Sequence, residues 1–383
     1  MPFVFRLEQA AGAALTAVTL ADVFLNVLYA RAGIAIVSKP LAHAVRDLFL
    51  VLGRLAGRHR PRVLSFCGPT LVVALLVTWA ASLVVGSAMI IHPVLGGAVR
   101  ADVPGAGRDF VTALDVAGGT IASVGPAPFF AATAPYKLVL LFDSFLGISV
   151  MTLAITYLMQ LYAALKARDE LALKVELMTR QTGDAARLVA GLGPEGRFET
   201  GYGVLAELAA ELSRVKEAHH LYPVLFYFRF PQAYYELSRF TLVLLDAAAI
   251  MRAALDERAA GWLKRSAAFE HLERGGLVLI DTLRRVYLRD EGAPPEPPDA
   301  RQAAAWRGRF QRAAAHLRAA GLPVRRDLSR CAGEYVQLRS RWNDPLFRLG
   351  GAIGHEPQEI DPALHEPDRR PPPPQAATAV VLH

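Results

Sequence analysis

Residues 109–137 read DFVTALDVAGGTIASVGPAPFFAATAPYK, and the way this stretch folds decides the architecture. It is apolar enough to enter a bilayer. Yet residues 109–135 are too short and too broken to cross one, because a spanning helix takes about 20 consecutive apolar residues. Asp109 stands where a helix would start, DFVTALDVAGGTI reads as a short helix, SVGPAP as a Gly/Pro-rich loop, and FFAATAPYK as the return. A half-entering helix and loop must satisfy their backbone groups inside protein or water. That requirement points to a re-entrant pore loop whose carbonyls face an ion path. An extracellular cap is the plain alternative.

Both flanks support entry into a membrane. Gly12–Val37, Leu64–Ile91 and Leu138–Leu165 are each long and apolar enough to cross. The first is too long for a signal peptide, its front end balances Arg6 with Glu8, and no clear cleavage signal follows. Over the whole chain 53% of residues are hydrophobic, 20% are charged, and mean hydropathy is +0.28. The first 165 residues are far more apolar than the rest. This excludes a wholly soluble enzyme and a disordered protein, and the lack of alternating strands and turns argues against a β-barrel.

Net charge is +7 and is concentrated in two blocks. Residues 38–62 carry Lys39, Arg46, Arg54, Arg58, Arg60 and Arg62 against Asp47, and residues 301–348 carry eleven Arg against three acids. Residues 166–300 are slightly negative, with eighteen basic and twenty acidic side chains. Basic short loops remain on the cytoplasmic side. The expectation is therefore an N-terminus outside, residues 92–137 outside, and the large C-terminal part in the cytoplasm, in a bacterial-type inner membrane. Leu41, Val45, Leu48, Leu52 and Leu55 recur at helical spacing, so residues 38–62 are expected to include an amphipathic helix on the lipid surface or packed on protein. The two cysteines, Cys67 and Cys331, lie in unlike surroundings and make no disulfide framework.

Residues 63–165 resemble the two-span pore of tetrameric potassium channels, preceded by an extra span. That family arranges an outer helix, a pore helix, a filter of the form T-V-G-Y-G-D and an inner helix. This chain reads Thr120-Ile121-Ala122-Ser123-Val124-Gly125-Pro126-Ala127-Pro128, with Ser123 at the filter threonine and Val124-Gly125 as in the family. Ala132–Lys137 resembles the polar step into the inner helix. Gly147 lies 24 residues after Ser123, about where the family has a hinge glycine, and Leu153–Tyr162 resembles the end of such a helix. The resemblance implies backbone carbonyls of Ser123, Val124, Gly125, Pro126 and Ala127 as the ion filter. It also implies a closed homotetramer, since one subunit cannot enclose the path. Pro126 stands at the filter tyrosine, Ala127 at the second glycine and Pro128 at the acid. Pro126 lacks an N–H and fixes φ, and a Cβ at Ala127 resists the left-handed backbone a glycine allows. The architecture carries over more directly than the potassium selectivity.

Charges inside spans are functional candidates. Asp143 is four residues before Gly147, on the same helix face. It is read as raising cation concentration near the pore or bracing the filter from behind, with a hydrogen-bonded structural acid as the alternative. Gly147 is a gating hinge or a close-packing residue. Asp22 and Asn26, one turn apart, are read as structural, and Arg31 as snorkelling. No ladder of basic residues marks a voltage sensor.

After Leu165 the chain reads as helices, with the inner helix continuing through ALKARDELALKVELMTRQ. Helices are expected at 204–218, 237–255, 259–289, 300–320 and 324–341, a linker at 290–299, and a Pro-rich flexible tail at 351–383. Gly191, Gly193 and Gly196 match GxGxxG without a preceding strand, which is no dinucleotide site. Thr200–Gly203 (TGYG) is expected to form a turn. His219-His220 and the aromatic run Phe226–Tyr235 are read mainly as packing. No Ser-His-Asp, Walker or zinc-hydrolase pattern occurs.

The expected fold is an all-α membrane protein with three transmembrane helices, a re-entrant pore helix and loop, and a helical cytoplasmic domain. Its expected divisions are 1–62, 63–165, 166–350 and 351–383. The expected function is a tetrameric cation channel, with potassium or another monovalent cation and the lipid bilayer as partners, no cofactor, no nucleic acid and no enzymatic activity. The rivals are a non-conducting channel-like scaffold or sensor with a degenerate filter, and a tethered enzyme or nucleic-acid binder using residues 301–348.

Overall fold

Long apolar runs leave their own backbone as the only hydrogen-bond partner in a bilayer, and helices meet that demand. The computed structural model describes residues 2–29, 37–103, 105–126, 128–288 and 296–365. Arg31, Ala127, most of the 290–299 linker and residues 366–383 lie outside the described residues. In chain order the helices are α1 (Pro2–Val23), α2 (Ser38–Leu55), α3 (Arg60–Ser65), α4 (Cys67–Ile91), α5 (Phe110–Ile121), α6 (Ala134–Met178), α7 (Ala185–Leu192), α8 (Glu199–Leu221) and α9 (Leu237–Ala254). They continue with α10 (Glu257–Lys264), α11 (Ala267–Leu283), α12 (Ala300–Ala319), α13 (Leu328–Ser340), α14 (Asn343–Ala352), α15 (Pro357–Ile360) and α16 (Pro362–His365).

Among the described residues three helices are long and apolar enough to cross a membrane: Phe3–Leu28, which joins α1 to a π-helical turn, Cys67–Val94, and Ala134–Met178. Their mean hydropathies are 1.7, 2.2 and 2.2. The described residues are predominantly helical, and the apolar helices mark a membrane-embedded protein. The first span begins at Phe3 rather than Gly12. Glu8, which breaks the apolar run in the sequence, lies within the helix and pairs with His92 at 2.7 Å.

The described residues form two compact units. The first comprises Met1–Leu48, Cys67–Ala163 and Leu221–Tyr227. Here α1 crosses α4 at Gly12 and Gly86, where a Cβ on Gly12 would stand 2.5 Å from the Gly86 carbonyl oxygen. Small residues let membrane helices approach this closely. Asp22 is buried and accepts from Val37 N at 2.8 Å, Ser38 Oγ at 2.7 Å and Trp79 Nε1 at 2.8 Å. A short antiparallel pair, β1 (Val99–Ala101) with β2 (Phe129–Ala131), is the one departure from helix among the named elements.

The second unit comprises Phe49–Phe66, Ala164–His220 and Phe228–His383, so residues 49–66 group with the residues after 163 other than 221–227. Its centre is α9, buried at nearly every position. It carries Arg239, Asp246 and Arg252 and is not among the helices apolar enough to cross a membrane. Asp246 on α9 accepts from Arg309 Nη2 at 2.8 Å, from Arg339 Nη1 at 3.2 Å, and from the Tyr335 hydroxyl. Arg339 also pairs with Asp361 and lies 5.3 Å from the ring centres of both Trp306 and Trp342.

Three local expectations change. The helix expected over 259–289 is two, because Ser266 caps α11 by accepting from Phe269 N at 3.2 Å. TGYG lies in the first turns of α8, and a Cβ on Gly201 would stand 1.9 Å from the Leu192 carbonyl oxygen. The region expected as tail is folded through its described part, since Ile360 packs on Gly350 and Asp361 is buried against Arg339.

Candidate functional site

Helix α5 has 12 residues, about 18 Å at ~1.5 Å per residue, too little to cross. Its start is set by Asp109, whose carboxylate accepts from Thr112 N at 2.8 Å and Thr112 Oγ1 at 2.6 Å. These bonds hold the Asp109 carboxyl below its ordinary value. One face of α5 packs through Ala113, Val116 and Ala117 against Ala88, Ile91, Leu95 and Val99.

The C-terminal end of α5 is anchored to α6. Ser144 Oγ donates to the Thr120 carbonyl at 3.2 Å. A Cβ on Gly147 would fall 1.8 Å from the Ile121 carbonyl oxygen. Gly147 is therefore where α6 passes directly against the end of α5, and no larger residue fits.

The loop that follows is a tight reversal. Val124 N and Gly125 N both donate to the Gly119 carbonyl, at 2.9 and 3.0 Å, and Ser123 N donates to the Thr120 carbonyl at 3.0 Å. Ser123 and Gly125 have φ of 58° and 99°, the left-handed region that suits glycine far better than serine. The Gly125 carbonyl oxygen turns back to within 2.6 Å of where a Cβ on Gly119 would be. Val124 projects outward with 84% exposure, and Pro126 is partly buried. The chain then returns through β2, with Asp102 N donating to the Pro128 carbonyl at 3.1 Å. Ala127 lies outside the described residues.

Asp143 is buried on the same face of α6 as Gly147, where Ser87 Oγ of α4 donates to its Oδ2 at 2.5 Å. Both residues thus face the interior of their own chain, next to α4 and α5, and not the exposed face of α6. That exposed face carries Phe145, Ser149, Thr152 and Thr156. The structure brings Ser123, Val124, Gly125 and Pro126 together at the end of α5, with Gly147 against Ile121 behind them.

Sequence reasoning missed Ser87, Ser144 and Gly119. The available signal was a hydroxyl or a glycine within an uncharged apolar helix. Which acid or backbone each would meet depends on helix crossings that no short-range spacing encodes.

Of the His219-His220 pair, the first member is packed inside its unit. His219 is buried with Nδ1 2.9 Å from the Val215 carbonyl, and burial, aided by the Arg168 charge, pushes it down to about 4. Among the described residues no group of three or more His, Cys, Asp or Glu side chains could hold a metal ion. No family model, curated protein or solved structure matches this chain.

Proposed function

We propose that this chain is the subunit of a homotetrameric cation channel, with potassium the ion its loop sequence resembles. The observation that carries the reading is the helix–reversal–return between two spans: α5 is too short to cross and ends in a left-handed loop exposing Val124. In this reading α5 enters the membrane and returns from the same side. Four copies of the Ser123–Ala127 loop converge on one path, and their carbonyls replace ion hydration. Asp143 and Gly147 act from behind the loop. Gly147 locks α6 to α5, and Asp143 fixes α6 to α4 through Ser87. The N-terminus faces outside, and the second unit lies in the cytoplasm of a bacterial-type inner membrane, where it assembles the tetramer or couples a signal to α6.

The test is flux of potassium and of sodium from liposomes holding the purified protein, compared with variants at Val124 and Gly125. Potassium flux lost in Gly125→Val supports the filter; equal flux in parent and variants removes it.

The second reading, a non-conducting scaffold or sensor, is favoured by one feature. The Gly125 carbonyl folds back on Gly119 rather than standing in an outward row, and Pro126 follows it. Absence of flux in every cation tested, from protein that retains its oligomeric state, selects this reading.

A further inference from the structure

Helix α6 has 45 residues, about 68 Å at ~1.5 Å per residue, against a hydrocarbon thickness of about 30 Å. From Lys166 it carries Lys166, Arg168, Asp169, Glu170, Lys174 and Glu176, a charge density that keeps this part in water. One side of this aqueous stretch is covered by its own unit: Leu165, Arg168, Leu171 and Val175 are buried, and Glu176 pairs with Arg239 at 2.8 Å.

The other side is bare. Lys166, Glu170, Leu173 and Leu177 are all exposed, the two leucines at 39% and 56%. Met159 (70% exposed) and Ala163 lie above them, on a part of the helix where Gln160 and Tyr162 are exposed as well, and the six positions 159, 163, 166, 170, 173 and 177 step along the helix by four, three, four, three and four. This is the spacing of a seam between parallel helices. Copies of a membrane protein share one orientation, so α6 of a second copy runs parallel and presents the same residues at the same height. Lys166 and Glu170 make the seam self-complementary. They lie 3.6 Å apart within one chain with both side chains largely exposed, so each ammonium can also meet the carboxylate of the neighbouring copy, between an apolar layer above and the leucine layers below.

We propose that the Met159–Leu177 face of α6 is a parallel self-association seam occupied by the same face of a second copy of this chain. Only the number of copies rests on the channel reading. The seam itself rests on bare leucines in water, aligned with a complementary charge pair.

The test is oxidative cross-linking of the full chain in membranes. The parent, whose Cys67 and Cys331 are buried, serves as blank, and Val278→Cys, at a 50% exposed position on α11, serves as control. Leu173→Cys and Leu177→Cys are expected to give a covalent dimer as the main product, with the blank and control giving none. Lys166→Glu is expected to shift the solubilised protein to smaller species by light scattering, and Lys166→Glu with Glu170→Lys to restore the larger one. No cross-link at 173 and 177, or equal cross-linking at 278, overturns the seam. Cross-links in a protein that shows no flux leave the seam standing and remove the channel; flux without cross-links does the reverse.

Discussion

Asp143 and Asp246 are both buried acids on helices, yet their surroundings differ in kind. Asp246, in the second unit, is held by two guanidinium groups and a phenol, and those cations have further partners in Asp184 and Asp361. Asp143, in the membrane unit, is held by the Ser87 hydroxyl. The comparison separates a charge that completes a balanced network from an acid whose removal strands nothing. Losing one member of a buried ion network leaves its partners charged and uncompensated, whereas a hydroxyl is satisfied by many acceptors.

The sharpest way to break the comparison is Asp246→Ala. It leaves Arg309 and Arg339 without their shared acceptor, and we expect a loss of about 3–5 kcal/mol, read by denaturant unfolding of the solubilised protein. A loss below about 1 kcal/mol would show the network to be replaceable.

Next comes Gly147→Val in the membrane unit. With 1.8 Å available to a Cβ, α5 and α6 must separate, at an expected cost of about 1–3 kcal/mol, read as a lower melting temperature in detergent. A melting temperature like the parent's would show that the crossing yields without strain.

A smaller effect is expected from pH in the second unit. His355 is buried with Nε2 2.7 Å from Glu236 and Nδ1 3.0 Å from Glu359. Burial alone would lower its pKa, but the Glu236 charge and the hydrogen bonds to Glu236 and Glu359 raise it above the ordinary 6.5. Glu359 is held down to about 2 by His355 and the Glu356 N–H, and Arg229 faces it from the other side at 3.4 Å. Because the folded His355 holds its proton more tightly than the unfolded one, its contribution is complete below 6.5. It is lost as pH rises through the raised value. Glu236 and Glu359 act in the opposite sense, their contribution fading as pH falls below 4.5. Melting temperature should therefore drop from pH 6.5 upward in the parent and not in His355→Gln; matching profiles would remove His355 as the cause.

The smallest stability effect is expected for Asp143→Asn. The amide oxygen still accepts from Ser87, so the change should be about 1 kcal/mol or less, while ion flux in liposomes falls if the Asp143 charge, rather than its bond to Ser87, raises cation concentration near the loop. Unchanged flux would reduce Asp143 to a structural acid.

Much of the fold was legible locally. The three spans follow from hydropathy, and α5 follows from its cap, its length and the Gly/Pro-containing loop after it. Asp143 was recognisable because a charge in an apolar helix stands out. Its partner was not, since Ser87 is 56 residues away and identified only by how α4 meets α6. The amphipathic stripe of α2 was half legible. Val45 is buried, but Leu48, Leu52 and Leu55 are exposed, and Phe49 takes the buried position instead. The alternation of apolar residues shows that two faces exist without showing which one the protein covers.

The amino-acid sequence by itself determined that this is a helical membrane protein with a broken apolar segment between its second and third spans, because bilayer thickness and backbone satisfaction act on composition over about 20 residues. Only the tertiary structure decided that Gly147 touches the end of α5, that the Gly125 carbonyl turns back on Gly119, and that Asp246 is neutralised by arginines 63 and 93 residues away. Those are close approaches between distant segments. Packing at near-crystalline density selects them, and no local pattern of residue types records them.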